Sequence, residues 1–152
     1  MAKRIVITGA GVGLGRRLAL RFAADGDTVI LLGRTGAKVE AVAAEIGERA
    51  MALECDVSSP QSVRAAFAAI AKRFDAIDVL INNAGALFNQ HQLTREGLEQ
   101  SYALLLLSPV LHTERLLPLL EAHELPARIV NVVSGGMYAE RLNLKRLNLS
   151  AD

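Results

Sequence analysis

Short β-branched runs alternate along this chain with longer segments in which Ala and Leu recur at helical spacing. The short runs predict strands at about 4–8, 28–33, 50–55, 78–82 and 128–133, and the longer ones predict helices at about 13–25, 35–46, 60–74 and 94–123. Val79-Leu80-Ile81 and Ile129-Val130-Asn131-Val132-Val133 are near-continuously apolar, the pattern of central strands covered on both faces. In the first helix Leu14, Leu18 and Phe22 recur at helical spacing while Arg16, Arg17 and Arg21 fall elsewhere. Ser59 before Pro60 predicts a capped helix start. Pro109 has no amide to offer the carbonyl of Leu105, so a kink or local break is expected there. The tandem Arg141-Leu142-Asn143-Leu144 and Arg146-Leu147-Asn148-Leu149 is too short for a structural repeat and reads as a loop or weak turn. Repeated βαβ units imply an α/β domain, with a parallel sheet between two layers of helices, over residues 1–152.

Composition narrows the picture. With 51% apolar and 22% charged residues the 152-residue chain has enough apolar surface for a core, which excludes disorder. Basic and acidic residues nearly balance, 17 against 16, leaving no net field for nucleic acid or an anionic membrane. No uninterrupted apolar stretch approaches the ~20 residues of a bilayer span, and the start lacks a secretory apolar segment. The expectation is a cytoplasmic protein without a membrane span. Cys55, the single cysteine, reads as a small buried apolar residue, and no metal site is expected. His91, His112 and His123 lack ligand spacing and read as ordinary, partly exposed histidines.

The chemistry concentrates after the first strand, in Thr8-Gly9-Ala10-Gly11-Val12-Gly13-Leu14-Gly15, which leads straight into a helix. Glycines let the backbone turn tightly and let a pyrophosphate approach main-chain N–H groups at the positive end of that helix. A glycine run is weak by itself, but the strand before it and the helix after it are the context a dinucleotide turn requires.

The spacing resembles the TGxxxGxG pattern of the short-chain dehydrogenase/reductase family, and two more motifs of that family follow in order. Asp56-Val57 matches the pair that holds adenine, and Asn82-Asn83-Ala84-Gly85 matches the NNAG turn. The segments Leu93 to Glu99, Leu107-Ser108-Pro109, Leu116-Leu117-Pro118 and Arg128 to Val132 resemble the retinol-dehydrogenase-like branch. The resemblance implies a doubly wound, Rossmann-like sheet of strand order 3-2-1-4-5 and hydride transfer between a nicotinamide and an alcohol/carbonyl substrate. The cofactor-binding set it implies is Gly9, Gly11, Val12, Gly13, Leu14, Gly15, Gly33, Arg34, Thr35, Asp56, Val57, Asn83, Ala84 and Gly85.

An NAD-binding turn places an acid about 20 residues after the glycines to hold the ribose 2′-OH. Here Gly33-Arg34-Thr35 stands there with no acid among the three, so a 2′-phosphate can take charge-assisted bonds from Arg34. NADP(H) is favoured over NAD(H), and Gly33→Asp is expected to move the preference toward NADH.

Ser134, in Val132-Val133-Ser134-Gly135-Gly136, matches the family's carbonyl-polarising Ser. The family's Tyr-x-x-x-Lys acid/base pair is missing, because Tyr102 is followed at that spacing by Leu106 and Tyr138 by Leu142. Truncation ahead of that motif, after the fifth strand, is the expected reason. Leu105 stands where the family carries the Asn of its proton relay. Two rivals follow: a catalytically silent dinucleotide-binding or sensing protein, and a fragment whose bare strand edge and helix 94–123 invite homo-oligomerisation.

Overall fold

The computed structural model describes residues 2–122 and 125–135. Its elements run β1 (Arg4–Thr8), α1 (Gly13–Ala24), β2 (Thr28–Gly33), α2 (Gly36–Ile46), β3 (Ala50–Glu54), α3 (Pro60–Arg73) and β4 (Val79–Asn82). They continue with α4 (Gln100–Tyr102), a π-helical turn (Ala103–Leu107), α5 (Ser108–Leu120) and β5 (Arg128–Asn131). All strand pairs are parallel, in the order β3-β2-β1-β4-β5 expected from the sequence.

Strand geometry sends successive side chains to opposite faces, so β1 feeds two cores at once. Val6 joins Ile30, Leu32 and Leu80 against Phe67 and Ile70 of α3 and Leu116 and Leu120 of α5. Ile5 and Ile7 join Val29, Leu31 and Ile81 against Ala19 of α1 and Val39 and Val42 of α2. Fully burying one such aliphatic side chain stabilises by roughly 1.5–3 kcal/mol. β1, β2 and β4 therefore read as apolar runs because both of their faces are covered.

Four expectations need correction. Helix α1 buries the narrow row Gly15, Ala19 and Ala23, while Leu14 is 52% exposed, because small residues let the helix lie close to the sheet. β5 is an edge strand rather than a central one, with Ile129 and Val130 each 43% exposed. Residues 94–99 are not helical. They form a turn that the Leu93–Glu99 bridge closes, with the Thr94 hydroxyl accepting from the amides of Glu96 and Leu98 and with Gly97 at φ 78°. The helix begins only after Glu99, whose carboxylate accepts from the amides of Ser101 and Tyr102. Burial pushes that carboxyl upward, but these bonds outweigh it and hold Glu99 below its ordinary range.

The break expected at Pro109 takes the form of the π-helical turn directly ahead of it, where the missing amide would have met Leu105. Ser59 caps α3 as expected, its Oγ accepting from the Ser62 amide at 3.3 Å. By length and composition the continuous helix Gln100–Leu120 could cross a membrane, which the count of uninterrupted runs overlooked. Within the described residues, its Ser108, His112, Leu116 and Leu120 are buried against the fold, while most of the helix is not.

His112 is the fourth correction, buried at 2% exposure rather than partly exposed. Its Nδ1 lies 3.4 Å from Asn82 Oδ1, and its ring meets Phe67 edge-on at 5.7 Å between centroids. Burial lowers its pKa to about 4. His91 is exposed, and His123, Tyr138 and the Arg141–Leu149 tandem lie outside the described residues. Among the described residues no cluster of His, Cys, Asp or Glu could hold a metal ion.

Acid stability should report this histidine. Its folded pKa of about 4 lies below the ordinary 6.5, so the unfolded chain takes up the proton first. The contribution is complete above the unfolded value and falls away as pH drops toward the folded one, by on the order of 3 kcal/mol in total. Urea unfolding between those two pH values should show this slope in the wild type and lose most of it in His112→Gln. Equal slopes would disprove the assignment.

Candidate functional site

The site is built from the carboxyl ends of the strands, and Thr8 is its centre. The Thr8 hydroxyl accepts from the amides of Asn83 and Ala84, each at 2.9 Å, and donates to the Ile81 carbonyl at 3.4 Å. Asn83 answers with its side chain, Nδ2 donating to the Thr8 carbonyl at 2.9 Å and to the Gly9 carbonyl at 3.4 Å. The turns after β1 and β4 are thus laced together.

This lacing explains two of the glycines. Gly9 has φ 67°, and a Cβ there would lie 3.0 Å from Ala84 Cα. A Cβ on Gly15 would strike the Gly9 carbonyl oxygen and come within 2.6 Å of Asn83 Nδ2. Gly15 is accordingly buried beneath the turn.

A cleft of about 820 Å³ opens over this end of the sheet. All of the fourteen expected cofactor-binding residues line it except Gly13 and Gly15. The exposed side chains of Val12 and Leu14 stand on its wall, which accounts for Leu14 leaving the core. Volume and lining suit a dinucleotide, since ligand sites of roughly 300–1,000 Å³ are usual and open α/β sheets bind at their carboxyl edge.

At the end of β3, Asp56 Oδ1 accepts from the Ser58 amide at 2.9 Å and from the Ser58 hydroxyl at 2.6 Å, which fixes the carboxylate in a turn. Its Oδ2 has no such bond among the described residues and can accept from an exocyclic amine. Cys55 is buried on the same wall, and burial raises its thiol to about 11, which leaves it un-ionised and unreactive at neutral pH.

At the end of β2, Arg34 is exposed and makes no ion pair among the described residues. Two features escaped the sequence reading. Lys38 lies on the cleft, and a Cβ on Gly11 would come within 2.9 Å of Lys38 Cβ, so this stem leans on the glycine turn. A carboxylate also stands nearby: Glu54, register partner of Gly33, accepts from the Gly36 amide at 3.2 Å at the start of α2. Looking only along the strand hides an acid contributed by its neighbour.

Gly33→Asp is also not the simple switch expected, because a Cβ there would come within 2.6 Å of Val39 Cγ1, a fully buried side chain. Leu105 is half exposed, and its Cδ2 would lie 3.4 Å from a Cβ on Gly85, so it stands over the NNAG turn. Ser134 is exposed beyond β5 and does not line the cleft. Residues Arg95, Gln100 and Leu104 do line it, and no sequence motif marks them because they come from the irregular turn and the irregular helix start.

The short chain dehydrogenase family model matches residues 3–142. The chain belongs to the short-chain dehydrogenase family. Dehydrogenase/reductase SDR family member 12 of Bos taurus is 36% identical over 146 residues, covering 93% of this chain and 45% of that protein. Retinol dehydrogenase 13 of Homo sapiens is 34% identical over 151 residues, covering 96% of this chain and 45% of that protein. The chain therefore spans just under half the length of these curated relatives. Among solved structures, the NADH complex of a 3-ketoacyl-(acyl-carrier-protein) reductase from Brucella melitensis superposes with a TM-score of 0.76 at 34% identity. That match covers 96% of this chain and 63% of the reductase. The first, third and fourth strand ends carry the glycine turn, Asp56-Val57 and Asn82-Asn83-Ala84-Gly85 in that order, and Leu105 stands over the last of them.

Thr8→Val should cost about 2 kcal/mol or more, since it leaves two amides at the strand ends without their acceptor. Thr8→Ser keeps the hydroxyl and should cost less than half as much. Denaturant titration of both variants decides this, and a loss in Thr8→Ser as large as in Thr8→Val would mean that the hydroxyl does not carry the larger share.

Proposed function

We propose that this chain is the dinucleotide-binding part of an oxidoreductase that moves hydride between NADP(H) and a small alcohol/carbonyl substrate in the cytoplasm. The observation that carries the reading is the cleft itself, with a glycine turn laced to the NNAG turn and Arg34 and Lys38 on its wall. The bound nicotinamide supplies the hydride chemistry. The chain's own residues orient it: the glycine turn and α1 start receive the pyrophosphate, Asp56 accepts from adenine, and Arg34 with Lys38 faces a 2′-phosphate. Ser134 polarises the substrate oxygen, with the proton handled by a Tyr-x-x-x-Lys pair that this 152-residue sequence does not contain.

Nothing in this reading calls for nucleic acid or a membrane span, and the apolar face of the Gln100–Leu120 helix suits association between copies. A second reading, a catalytically silent dinucleotide sensor, is favoured by Leu105 over the NNAG turn, where a leucine cannot anchor a relay water.

Binding and turnover should separate. Calorimetry should detect NADPH binding, while a carbonyl-substrate screen of the 152-residue protein should show no family-like rate, and robust turnover would refute the proposal. A longer chain carrying Tyr-x-x-x-Lys should be active and should lose about 100- to 1,000-fold in turnover on Ser134→Ala. Full activity in both forms would separate the silent-sensor reading and the Ser134 assignment from the truth.

Cofactor choice turns on three charges. Arg34→Ala should weaken NADPH binding about tenfold to a hundredfold and leave NADH nearly unchanged, because only NADPH has the 2′-phosphate to lose. Glu54→Gln should strengthen NADPH binding by removing the neighbouring negative charge. Equal losses of both dinucleotides in Arg34→Ala would mean that Arg34 only packs on adenine, and the NADP preference would be withdrawn.

A further inference from the structure

Ser134 follows directly on β5, an edge strand whose side chains reach solvent, so few contacts hold its place. Asn82 supplies two of them. Its carbonyl accepts from the Val132 amide at 2.9 Å, and its Nδ2 donates to Oδ1 of Asn131, its register partner on β5, at 2.9 Å. Asn82 is itself 5% exposed, and the two residues after it, Asn83 and Ala84, are the ones laced to Thr8. One buried side chain thus stands between the cofactor turn and the strand that leads to Ser134.

His112 on α5 completes the network. Because Asn82 gives its Nδ2 to Asn131, the atom that faces His112 Nδ1, at 3.4 Å, is the acceptor Oδ1. Nδ1 must then carry the proton, and Nε2 of the neutral ring is left as a buried acceptor without a hydrogen-bond partner. Such an orphan costs stability that a leucine of similar size would not. What the imidazole supplies, and a leucine cannot, is a donor aimed at one oxygen. Its aim is held from several sides. Phe67 of α3 meets the ring edge-on, and α5 is tied down before and after it, by the Ser108 hydroxyl donating to the Val57 carbonyl at 2.7 Å and by the Ile77 amide donating to the Leu119 carbonyl at 2.9 Å.

We infer that His112 is a positioning residue: acting through Asn82 and Asn131, it fixes the carboxyl end of β5 against the turn that receives the cofactor, and so the place from which Ser134 meets the substrate. This rests on the reading of Ser134 as the group that polarises the substrate oxygen. His112 does not line the cleft, and its effect is carried entirely by the two asparagines. The separation it sets matters, because a misplacement of roughly 1 Å in a reacting site can cost about 100-fold in rate.

The test is a double-mutant cycle on the 152-residue protein, read by amide hydrogen exchange and nitrogen NMR. The His112 ring should show a protonated Nδ1 and an unprotonated Nε2 at neutral pH. His112→Leu should speed exchange at the Val132 amide about tenfold and shift the Ser134 amide resonance, and Asn131→Ala, at an exposed position, should do the same. His112→Asn, whose side-chain amide brings a donor close to the place of Nδ1, should restore most of the protection. The two losses should not add: with Asn131→Ala already present, His112→Leu should change the exchange rate by less than about twofold. In a longer chain carrying Tyr-x-x-x-Lys, His112→Leu should lower kcat about tenfold and leave the KM for NADPH within about twofold.

A proton on Nε2 instead of Nδ1, additive losses, or equal protection of Val132 in His112→Leu and His112→Asn would overturn the inference and leave His112 as a packing residue. So would an unchanged kcat in an active longer chain whose β5 exchange had risen, since the network would then hold the strand without placing Ser134. Should His112→Leu fail to fold, the ring tautomer and the loss in Asn131→Ala decide. A longer chain that is inactive before any substitution would count against the hydride-transfer reading alone, because the tautomer and exchange measurements do not require turnover.

Discussion

The lacing of Thr8 to Asn83 and Ala84 is the constraint on which the site depends. Parallel strands pair along their length but leave their carboxyl ends to diverge into separate loops. Here one hydroxyl takes two amides from the neighbouring strand's turn, and one side-chain amide returns to the carbonyls of Thr8 and Gly9. That exchange holds two turns at a separation at which no Cβ fits on Gly15. The glycines are thus a consequence of the lacing as much as a preparation for a phosphate. Gly15 serves the cleft from beneath, by letting α1 start close under the turn, without lining it.

What the sequence revealed follows from how local each feature is. Strands β1, β2 and β4 were legible because burial on both faces makes them continuously apolar, and the glycine turn was legible because backbone geometry dictates residue type there. Helix α3 began where Ser59 and Pro60 said it would. The turn at 94–99 was not legible: Leu93 and Leu98 extend the apolar pattern of the helix, and only the bonds made by Thr94 and Glu99 show that the chain folds back before it starts. His112 was missed for a related reason. Its partner, Asn82, lies 30 positions away on β4, and no spacing rule links them.

Exposure in this structure is distributed unevenly. β1, β2 and β4 bury their apolar side chains, whereas Ile129, Val130, Val132 and Val133 at the β5 edge and Leu105, Leu106, Val110 and Leu117 along the helix before it remain at least 40% exposed. An apolar edge strand offers unpaired backbone groups as well as side chains, which makes it a place where further chain or another copy can add. Ser134 lies just past this edge, so its surroundings depend on whatever pairs with β5. The cofactor cleft, by contrast, is walled by elements that pack on one another within residues 9–104.

The charges at the end of β2 illustrate how neighbouring strands set the chemistry of a position. Read along its own strand, Gly33-Arg34-Thr35 offers only a cation. Register places Glu54 of β3 beside Gly33, and that carboxylate accepts from the first amide of α2, where the positive end of a helix welcomes it. That bond ties the carboxylate to the helix start, while Lys38, two residues further along the same helix, adds a cation whose stem is steered by its contact with Gly11. A 2′-phosphate there would meet two cations and one carboxylate already engaged in capping. The charge at this position is therefore set by neighbouring strand ends and a helix start rather than by any one residue.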